Sequence, residues 1–302
     1  MGSKSGVTMV GSANLDVVFR VDRLPQPGET LYSTSSARYP GGKGLNQAVA
    51  AARAGGPTTF IGALGRDENG DALVATMTAA GIVDRFVRRS TEPTGQAFIV
   101  VDSQAENFII LASGSNATVT ALTAAERASV SASSVLLMQL ELPLSVVAEA
   151  AAWAKQSGTT VMLNAAPAQP LPQSLLETVD YLVVNEHEAC LIGASDDLAE
   201  ASIALAGRVA RVIVTLGADG AVLYDGGVEV GRLTPPAVVP VDTTGAGDTF
   251  CGAFAAAIAD GRTLTDAARF ATAAAALSVQ ALGAVPSIPQ RAQIDEALAR
   301  WE

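Results

Sequence analysis

Short apolar runs alternate with longer, alanine-rich segments along most of the chain. Runs of this kind are typical of strands that are buried on both faces, and the longer segments have the length and periodicity of helices. The apolar runs are 7–10, 60–61, 135–138, 161–163, 181–184, 212–215 and 221–224, and the helical segments include 44–54, 70–80, 144–156 and 198–209. This alternation predicts an α/β fold with a mostly parallel central sheet and helices on both faces.

Two stretches, 16–39 and 94–112, instead alternate polar and apolar residues with no helix between them. They predict antiparallel strands that form a small separate sheet. An insertion near the carboxyl ends of the central strands would cover the ligand crevice as a lid, although an edge hairpin without a function fits the pattern as well. We therefore expect one domain over 1–302, with lid strands inserted from about 16–40 and 94–112.

Composition narrows the class of protein. The chain has 302 residues, of which 49% are hydrophobic and 16% charged, as in a globular protein with a large core. Its net charge is −11 and its Lys and Arg residues are dispersed, which argues against nucleic-acid binding.

The chain has two cysteines, Cys190 and Cys251, without metal-ligand spacing. No signal sequence is evident, so we expect a cytoplasmic protein. Polar residues interrupt the apolar stretch 267–281, which predicts a buried helix and no membrane span.

The segment Asp242-Thr243-Thr244-Gly245-Ala246-Gly247-Asp248-Thr249-Phe250 precedes an apolar helix that runs to about Asp260. Glycines before a helix allow close approach of a ligand, and the unpaired N–H groups of Gly245, Ala246 and Gly247 would attract an anion such as a phosphoryl group. Asp248 could accept a proton from an attacking hydroxyl, or it could merely stabilise the helix start. The spacing alone leaves both interpretations open.

Three motifs in order along the chain resemble the ribokinase-like carbohydrate kinases, also called the PfkB family. The segment D-T-T-G-A-G-D-T-F is similar to the family's C-terminal signature. Gly41-Gly42-Lys43-Gly44-Leu45-Asn46-Gln47-Ala48 is similar to its N-terminal signature, and Gly11-Ser12-Ala13-Asn14-Leu15-Asp16 to its first strand and sugar-binding turn. Further matches cover nearly all of the chain, including Asn164-Ala165-Ala166-Pro167-Ala168, which departs from the family's usual form at Ala165.

This resemblance implies an ATP-dependent sugar kinase and assigns roles to individual residues. Asp248 would be the catalytic base, and Gly245, Ala246 and Gly247 would form the anion hole. The stretch Met138-Gln139-Leu140-Glu141 resembles the ribokinase subgroup in particular, which favours transfer of the γ-phosphoryl group to O5 of D-ribose. The residues that would bind the sugar are Asn14, Asp16, Gly42, Lys43, Asn46, Ala97, Glu141 and Asp248.

The resemblance also implies the cofactors ATP, Mg²⁺ and a monovalent cation, for which K⁺ is expected. Glu188 of the N-x-x-E pattern would organise Mg²⁺ through water, whereas His187 would be a surface residue. The residues that would bind the nucleotide are Asn185, Thr215, Leu216, Gly217, Ala218, Asp219, Gly220 and Gly247. Those that would bind the monovalent cation are Asp242, Thr244, Ser278, Ala281, Gly283 and Ser287. The family implies a homodimer formed through the lid.

Other enzyme classes fit less well. A Walker-type nucleotide site needs Ser or Thr after its lysine, but Lys43 is followed by Gly44. The first strand leads into Gly11-Ser12-Ala13-Asn14 and not into the glycine pattern of a dinucleotide site. Within the family, a nucleoside, 2-deoxyribose or a ketose phosphate stays open as the substrate. A sugar-binding regulator without turnover is a further alternative, against which the intact Asp248 argues.

Overall fold

The computed structural model describes residues 4–104 and 106–301. Thirteen strands lie in these residues. They are β1 (Val7–Val10), β2 (Asn14–Arg20), β3 (Ser35–Gly41), β4 (Thr58–Gly65), β5 (Val83–Ser90), β6 (Gly95–Val101), β7 (Asn107–Ala112), β8 (Val135–Met138), β9 (Thr160–Asn164), β10 (Tyr181–Asn185), β11 (Arg211–Thr215), β12 (Ala221–Asp225) and β13 (Val228–Leu233).

Eleven α-helices lie in the same residues. They are α1 (Lys43–Arg53), α2 (Glu68–Ala79), α3 (Ala124–Ala132), α4 (Leu144–Gln156), α5 (Gln173–Leu176), α6 (Glu186–Gly193), α7 (Leu198–Ala206), α8 (Ala246–Ala259), α9 (Leu264–Ser278), α10 (Ala284–Ser287) and α11 (Arg291–Arg300). Helix α9 contains most of the alanine-rich stretch predicted as a buried helix, and most of its residues are buried. None of the helices in the described part of the chain is long and apolar enough to cross a membrane.

Nine strands form the large sheet, in the order β13-β12-β11-β10-β9-β8-β1-β4-β5. All neighbours from β5 to β11 run parallel, and only β12 and β13 add antiparallel pairs at one edge. The prediction of a mostly parallel sheet is confirmed. The chain passes from β1 to β4 on one side of β1 and returns to β8 on its other side. The carboxyl ends of β1 and β8 therefore flank a topological switch point, where ligands of such sheets bind.

Alternating side chains of the buried strands enter two separate cores, one on each face of the sheet. Met9 packs on the face covered by α1, α8 and α9, whereas Val10 packs on the face covered by α3, α4 and α7. Helices on both faces were predicted. A Cβ on Gly252 of α8 would overlap the backbone oxygen of Gln47 in α1, so these two helices touch through their backbones. This close packing brings the start of α1 next to the start of α8.

Four strands form the small sheet, in the order β3-β2-β6-β7. The outer pairs are antiparallel as predicted, but the central pair β2 and β6 is parallel, with Asn14 opposite Gly95 and Arg20 opposite Val101. The prediction of antiparallel strands is wrong for this pair. Strand β2 follows β1 and strand β6 follows β5, so both strands leave the same edge of a parallel sheet and run in the same direction.

Strands β5 and β13 did not show in the apolar pattern. Strand β5 is only partly buried and carries charged residues such as Arg88 and Arg89, and β13 is an exposed edge strand. Helix α4 has the predicted bounds, and α8 ends one residue before the predicted end. At the amino terminus, the ammonium of Lys4 donates to the backbone oxygen of Ser157 at 2.7 Å.

Candidate active site

The amino terminus of α8 presents backbone donors to open space. Gly245 is the N-cap residue with φ of 77°, a left-handed conformation that glycine adopts at little cost. A Cβ on Gly247 would meet no atom within 4 Å. In the described residues, the N–H groups of Gly245 and Gly247 make no backbone hydrogen bond, but the N–H of Ala246 donates to the oxygen of Thr243 at 3.2 Å. Two of the three predicted anion-hole donors are therefore free, and the third is engaged.

The Asp248 carboxylate lies in the first turn of α8 and is 8% exposed. Its Oδ1 accepts a hydrogen bond from Gln47 Nε2 at 2.9 Å, and its Oδ2 accepts one from Asn46 Nδ2 at 3.0 Å. Each carboxylate oxygen keeps a second lone pair for a further donor. Two neighbouring amides of α1 thus hold a side chain that lies about 200 residues away in the sequence.

Glu141 follows β8 and joins the start of α1 to the sheet. Its Oε2 accepts hydrogen bonds from the Ser12 hydroxyl at 2.6 Å and from the Lys43 N–H at 3.1 Å. Gly42 precedes the helix with φ of 88°, and a Cβ there would lie 2.7 Å from the backbone nitrogen of Asn14. Predicted sugar residues from the start of β2, from the glycine turn and from the segment after β8 therefore meet at one place, the switch point of the sheet.

A cluster of carboxylates surrounds one ammonium group in this region. Burial, followed by the negative charges of Glu141 and Asp248, raises the pKa of Asp16 from 3.8 to about 7. Burial also raises the pKa of Glu141. Burial alone would lower the pKa of Lys43, but Asp248, Glu141 and Glu188 outweigh it, so the net shift is upward. Lys43 is thus a fixed positive charge among acidic groups that repel one another.

A cavity of about 430 Å³ opens beside this cluster. Asn14 and Glu141 line it, together with Leu111, Asn116 and other residues of the small sheet and of the segment after β8. Asn116 is 1% exposed, and its Nδ2 donates to Asn14 Oδ1 at 2.7 Å. Across the small sheet, Asp16 pairs with Ala97 and Ala97 pairs with Leu111. The predicted lid residue therefore lies next to both the acidic cluster and the cavity wall.

A second cavity, of about 530 Å³, lies at the amino terminus of α8, where Ala246 and Gly247 line it. Of the predicted nucleotide residues, Thr215, Gly217, Ala218, Gly220 and Gly247 line it. Leu216, Asp219 and Asn185 are not among its lining residues. The remaining wall is mostly apolar and includes Ala246 of the predicted anion hole. Its other residues were not predicted to bind the nucleotide, and they are Thr234, Pro235, Pro236, Ala237, Val238, Pro240, Thr243, Phe250, Thr272, Ala275, Ala276 and Val279.

Asn185 and Glu188 cap α6 reciprocally. Asn185 Oδ1 accepts from the Glu188 N–H, and Glu188 Oε2 accepts from the Asn185 N–H, both at 2.8 Å. The N-x-x-E pattern therefore has a structural function as a capping box. Glu188 is 5% exposed and burial raises its pKa, whereas His187 is exposed as predicted. Within the described residues, no group of three or more His, Cys, Asp or Glu side chains could hold a metal ion.

The predicted cation residues lie in two segments, 242–244 and 278–287, that one carboxylate joins. Asp242 accepts from the N–H of Thr244 at 2.9 Å and from the N–H of Gly283 at 2.8 Å. These hydrogen bonds outweigh burial and lower the pKa of Asp242. The Ser278 and Ser287 hydroxyls donate to carbonyl oxygens of their own helices, and Ala281 is exposed. An anionic clamp with oxygen atoms nearby is chemically suited to a hard monovalent cation.

Comparison with known proteins identifies the family of this chain. The family model described as "pfkB family carbohydrate kinase" matches residues 4–291. The chain belongs to the pfkB family of carbohydrate kinases. It is 40% identical to the ribokinase of Haemophilus influenzae over 97% of this chain and 98% of that protein, and 36% identical to the ribokinase of Bacillus subtilis over 97% and 99%.

A solved structure gives the same result. The ribokinase of Arabidopsis thaliana, determined with ribose and ATP, superimposes with a TM-score of 0.91 over 98% of this chain and 99% of that one, at 34% identity. For this pfkB-family chain, sequence reasoning assigned no role to Ser12, Gln47, Leu111 or Asn116. Buried polar residues inside or near the motifs were the available signal. Leu111 carried no signal, because its place depends on the pairing of β6 with β7.

Proposed function

We propose that this chain phosphorylates D-ribose at O5, with ATP as the phosphoryl donor, and produces D-ribose 5-phosphate and ADP. The observation that carries the proposal is the position of Asp248. Its carboxylate is held by Asn46 near the acidic cluster, and the adjacent Gly247 lines the second cavity. A base at this point can reach a hydroxyl on one side and a phosphoryl group on the other.

In the proposed complex, ribose lies beside the 430 Å³ cavity. Carboxylates, carboxamides and one ammonium provide both acceptors and donors for sugar hydroxyls. Ala97 would contact the ring from the small sheet. The residues assigned to the sugar are Asn14, Asp16, Gly42, Lys43, Asn46, Ala97, Glu141 and Asp248.

ATP would occupy the 530 Å³ cavity, with its base against the apolar wall and its phosphates toward Gly247. The nucleotide residues that line this cavity are Thr215, Gly217, Ala218, Gly220 and Gly247, and we retain Leu216, Asp219 and Asn185 as neighbours of the nucleotide. The free N–H groups of Gly245 and Gly247 would hydrogen-bond to the transferred phosphoryl group, with Ala246 contributing through the helix dipole.

Asp248 would remove the proton from the O5 hydroxyl as O5 attacks the γ-phosphorus. The bond between the γ-phosphorus and the bridging oxygen breaks, and ADP leaves with that electron pair. Mg²⁺ bound to the phosphates, with Glu188 as a water-mediated contact, would neutralise charge on the nucleotide. A monovalent cation, for which we propose K⁺, would be held at Asp242, Thr244, Ser278, Ala281, Gly283 and Ser287.

The small sheet would act as a lid over the sugar in a single domain that spans the chain. Strand β7 exposes four consecutive apolar side chains, of which Phe108 is 57% and Ile110 55% exposed. Such a strip favours association through the lids of two copies, which is the homodimer that we propose. Because the reaction consumes ATP, we place it in the cytoplasm.

The Asp248→Asn variant tests the role of the base, since it keeps the hydrogen-bonding shape and removes the charge. We expect kcat for ribose to fall by about 10²- to 10⁴-fold, while ribose binding changes little. ADP release would be measured with a coupled assay on ribose, 2-deoxyribose, nucleosides and ketose phosphates. Turnover on a nucleoside but not on ribose would contradict the substrate and leave the family unchanged.

Asp266→Asn is the matched control. Asp266 lies in the first turn of α9, where it accepts a hydrogen bond from the Thr263 hydroxyl at 2.7 Å. It therefore reports the effect of neutralising an acidic residue at a helix start. Unchanged turnover in Asp248→Asn, or an equal loss in both variants, would contradict the proposed base.

A further inference from the structure

Gln47 is a buried polar residue that the proposed reaction does not use. It lies on α1 next to Asn46 and is 0% exposed. Its Nε2 donates to Asp248 Oδ1 at 2.9 Å and to Asn164 Oδ1 at 3.0 Å. Its Oε1 is buried without a hydrogen-bond partner among the described residues. An unsatisfied buried acceptor is costly, and the two hydrogen bonds that the nitrogen makes offset part of this cost.

The network fixes the orientation of this amide. Asn164 Nδ2 donates to the backbone oxygen of Val183 at 3.3 Å, which turns Asn164 Oδ1 toward Gln47. A flipped Gln47 amide would place its oxygen against Asn164 Oδ1 and against the Asp248 carboxylate, where no donor is available. Both Nε2 protons are thus committed, one to β9 and one to the proposed base.

We propose that Gln47 is a positioning residue that holds the Asp248 carboxylate in its reactive orientation; this inference rests on the proposed function of Asp248. An aspartate carboxylate can rotate about its Cβ–Cγ bond unless both of its oxygens are held. Asn46 holds Oδ2, but Asn46 is itself assigned to the sugar and can exchange partners during turnover. Gln47 holds Oδ1 from a site anchored to the sheet through Asn164.

The backbone packing supports this function. The Gln47 backbone oxygen lies against Gly252 of α8, one helical turn after Asp248, so donor and acceptor belong to two helices in direct contact. The donor is also neutral. An arginine at this position would place a positive charge beside the carboxylate, whereas an amide orients the carboxylate without adding a charge.

Gln47→Met removes both hydrogen bonds at nearly constant volume. Among the described residues, the Gln47 side chain makes no hydrogen bond to an assigned sugar residue other than Asp248, so we expect kcat to fall by about 10- to 100-fold. KM for ribose should stay within about threefold of the original value. Steady-state kinetics on the full-length protein, together with thermal unfolding, would measure both effects. Gln47→Asn, which withdraws the amide by one methylene, should also lower kcat and serves if the methionine variant does not fold.

Gln139→Met is the matched control. Gln139 is also 0% exposed with an unsatisfied Oε1, but its Nε2 donates to Met9 Sδ and to the Val10 oxygen and not to Asp248. We expect this variant to keep kcat within about threefold. Equal losses in both methionine variants, or a Gln47 variant with normal kcat, would overturn the inference.

The Asp248→Asn variant separates the two proposals. If it is inactive while folded Gln47→Met and Gln47→Asn turn over normally, the positioning function is wrong and the base assignment stands. If Asp248→Asn turns over normally, the base assignment fails first, and a loss in Gln47→Met then cannot act through that carboxylate. A low kcat at unchanged KM in the Gln47 variants alone, with inactive Asp248→Asn, supports both.

Discussion

Replacing Asp16 by asparagine is expected to stabilise the unliganded protein above neutral pH and to weaken ribose binding. Asp16 lies on β2, and its carboxylate makes no hydrogen bond to any residue in the described part of the chain. Burial, then Glu141 and Asp248, raise its pKa from 3.8 to about 7. Above pH 7 the folded state therefore contains a charge that its surroundings disfavour.

The sign of the effect follows from proton binding. Between about pH 4 and pH 7 the folded state keeps Asp16 protonated while the unfolded state ionises it, so folding stability from this group falls as pH rises. A rise of the Asp16 pKa from 3.8 to about 7 corresponds to about 4 kcal/mol at most. Since the carboxyl is partly accessible to water, we expect asparagine to recover about 2 kcal/mol at about pH 8 and almost nothing at about pH 4.

Thermal unfolding without ribose would measure this difference. For a chain of this size, about 2 kcal/mol corresponds to a rise in Tm of about 3 °C. Asp22→Asn, an exposed change on the same segment, is the control and should shift Tm by less than about 1 °C at either pH. A Tm gain that is equal at both pH values, or a loss at about pH 8, would refute the electrostatic reasoning.

The same negative charge on Asp16 is expected to strengthen ribose binding. An ionised carboxylate accepts stronger hydrogen bonds from hydroxyls than a neutral carboxamide does. KM for ribose in the original protein should therefore fall as pH rises through about 7, the pKa of Asp16. The asparagine variant should have a KM raised by about tenfold with little pH dependence in this range. A group that destabilises the free protein would thus be retained for binding.

Two further predictions concern the lid and the cation. Ile110 lies on the β7 face opposite Leu111, and Ile110→Lys should convert a dimer to a monomer in analytical ultracentrifugation. Ile203→Lys on α7, at a side chain that is 61% exposed, should leave the dimer intact. A monomeric unmodified protein would contradict this prediction. Asp242→Ala releases two backbone N–H groups and should raise the K⁺ concentration for half-maximal activity at constant ionic strength by about tenfold. Activity that never depends on K⁺ would contradict the assignment.

Much of the fold could be predicted from the sequence. Strands buried on both faces leave apolar runs such as Val135 to Met138, and the alternation of these runs with helices restricts the topology to a parallel sheet. The glycines before Asp248 and the motif around Lys43 marked two ends of the site. A partly exposed strand such as β5 left no such run, because its charged side chains lie at its accessible positions.

Only the tertiary structure decided how these parts meet. The parallel pairing of β2 with β6 depends on where both strands leave the large sheet, which no local pattern contains. The hydrogen bond from Gln47 to Asp248 depends on the contact between α1 and α8 at Gly252. The sequence by itself determined the element types and the chemical groups, because propensity and periodicity are local. Long-range packing determined which groups share a site, since that depends on the distances between segments far apart in the chain.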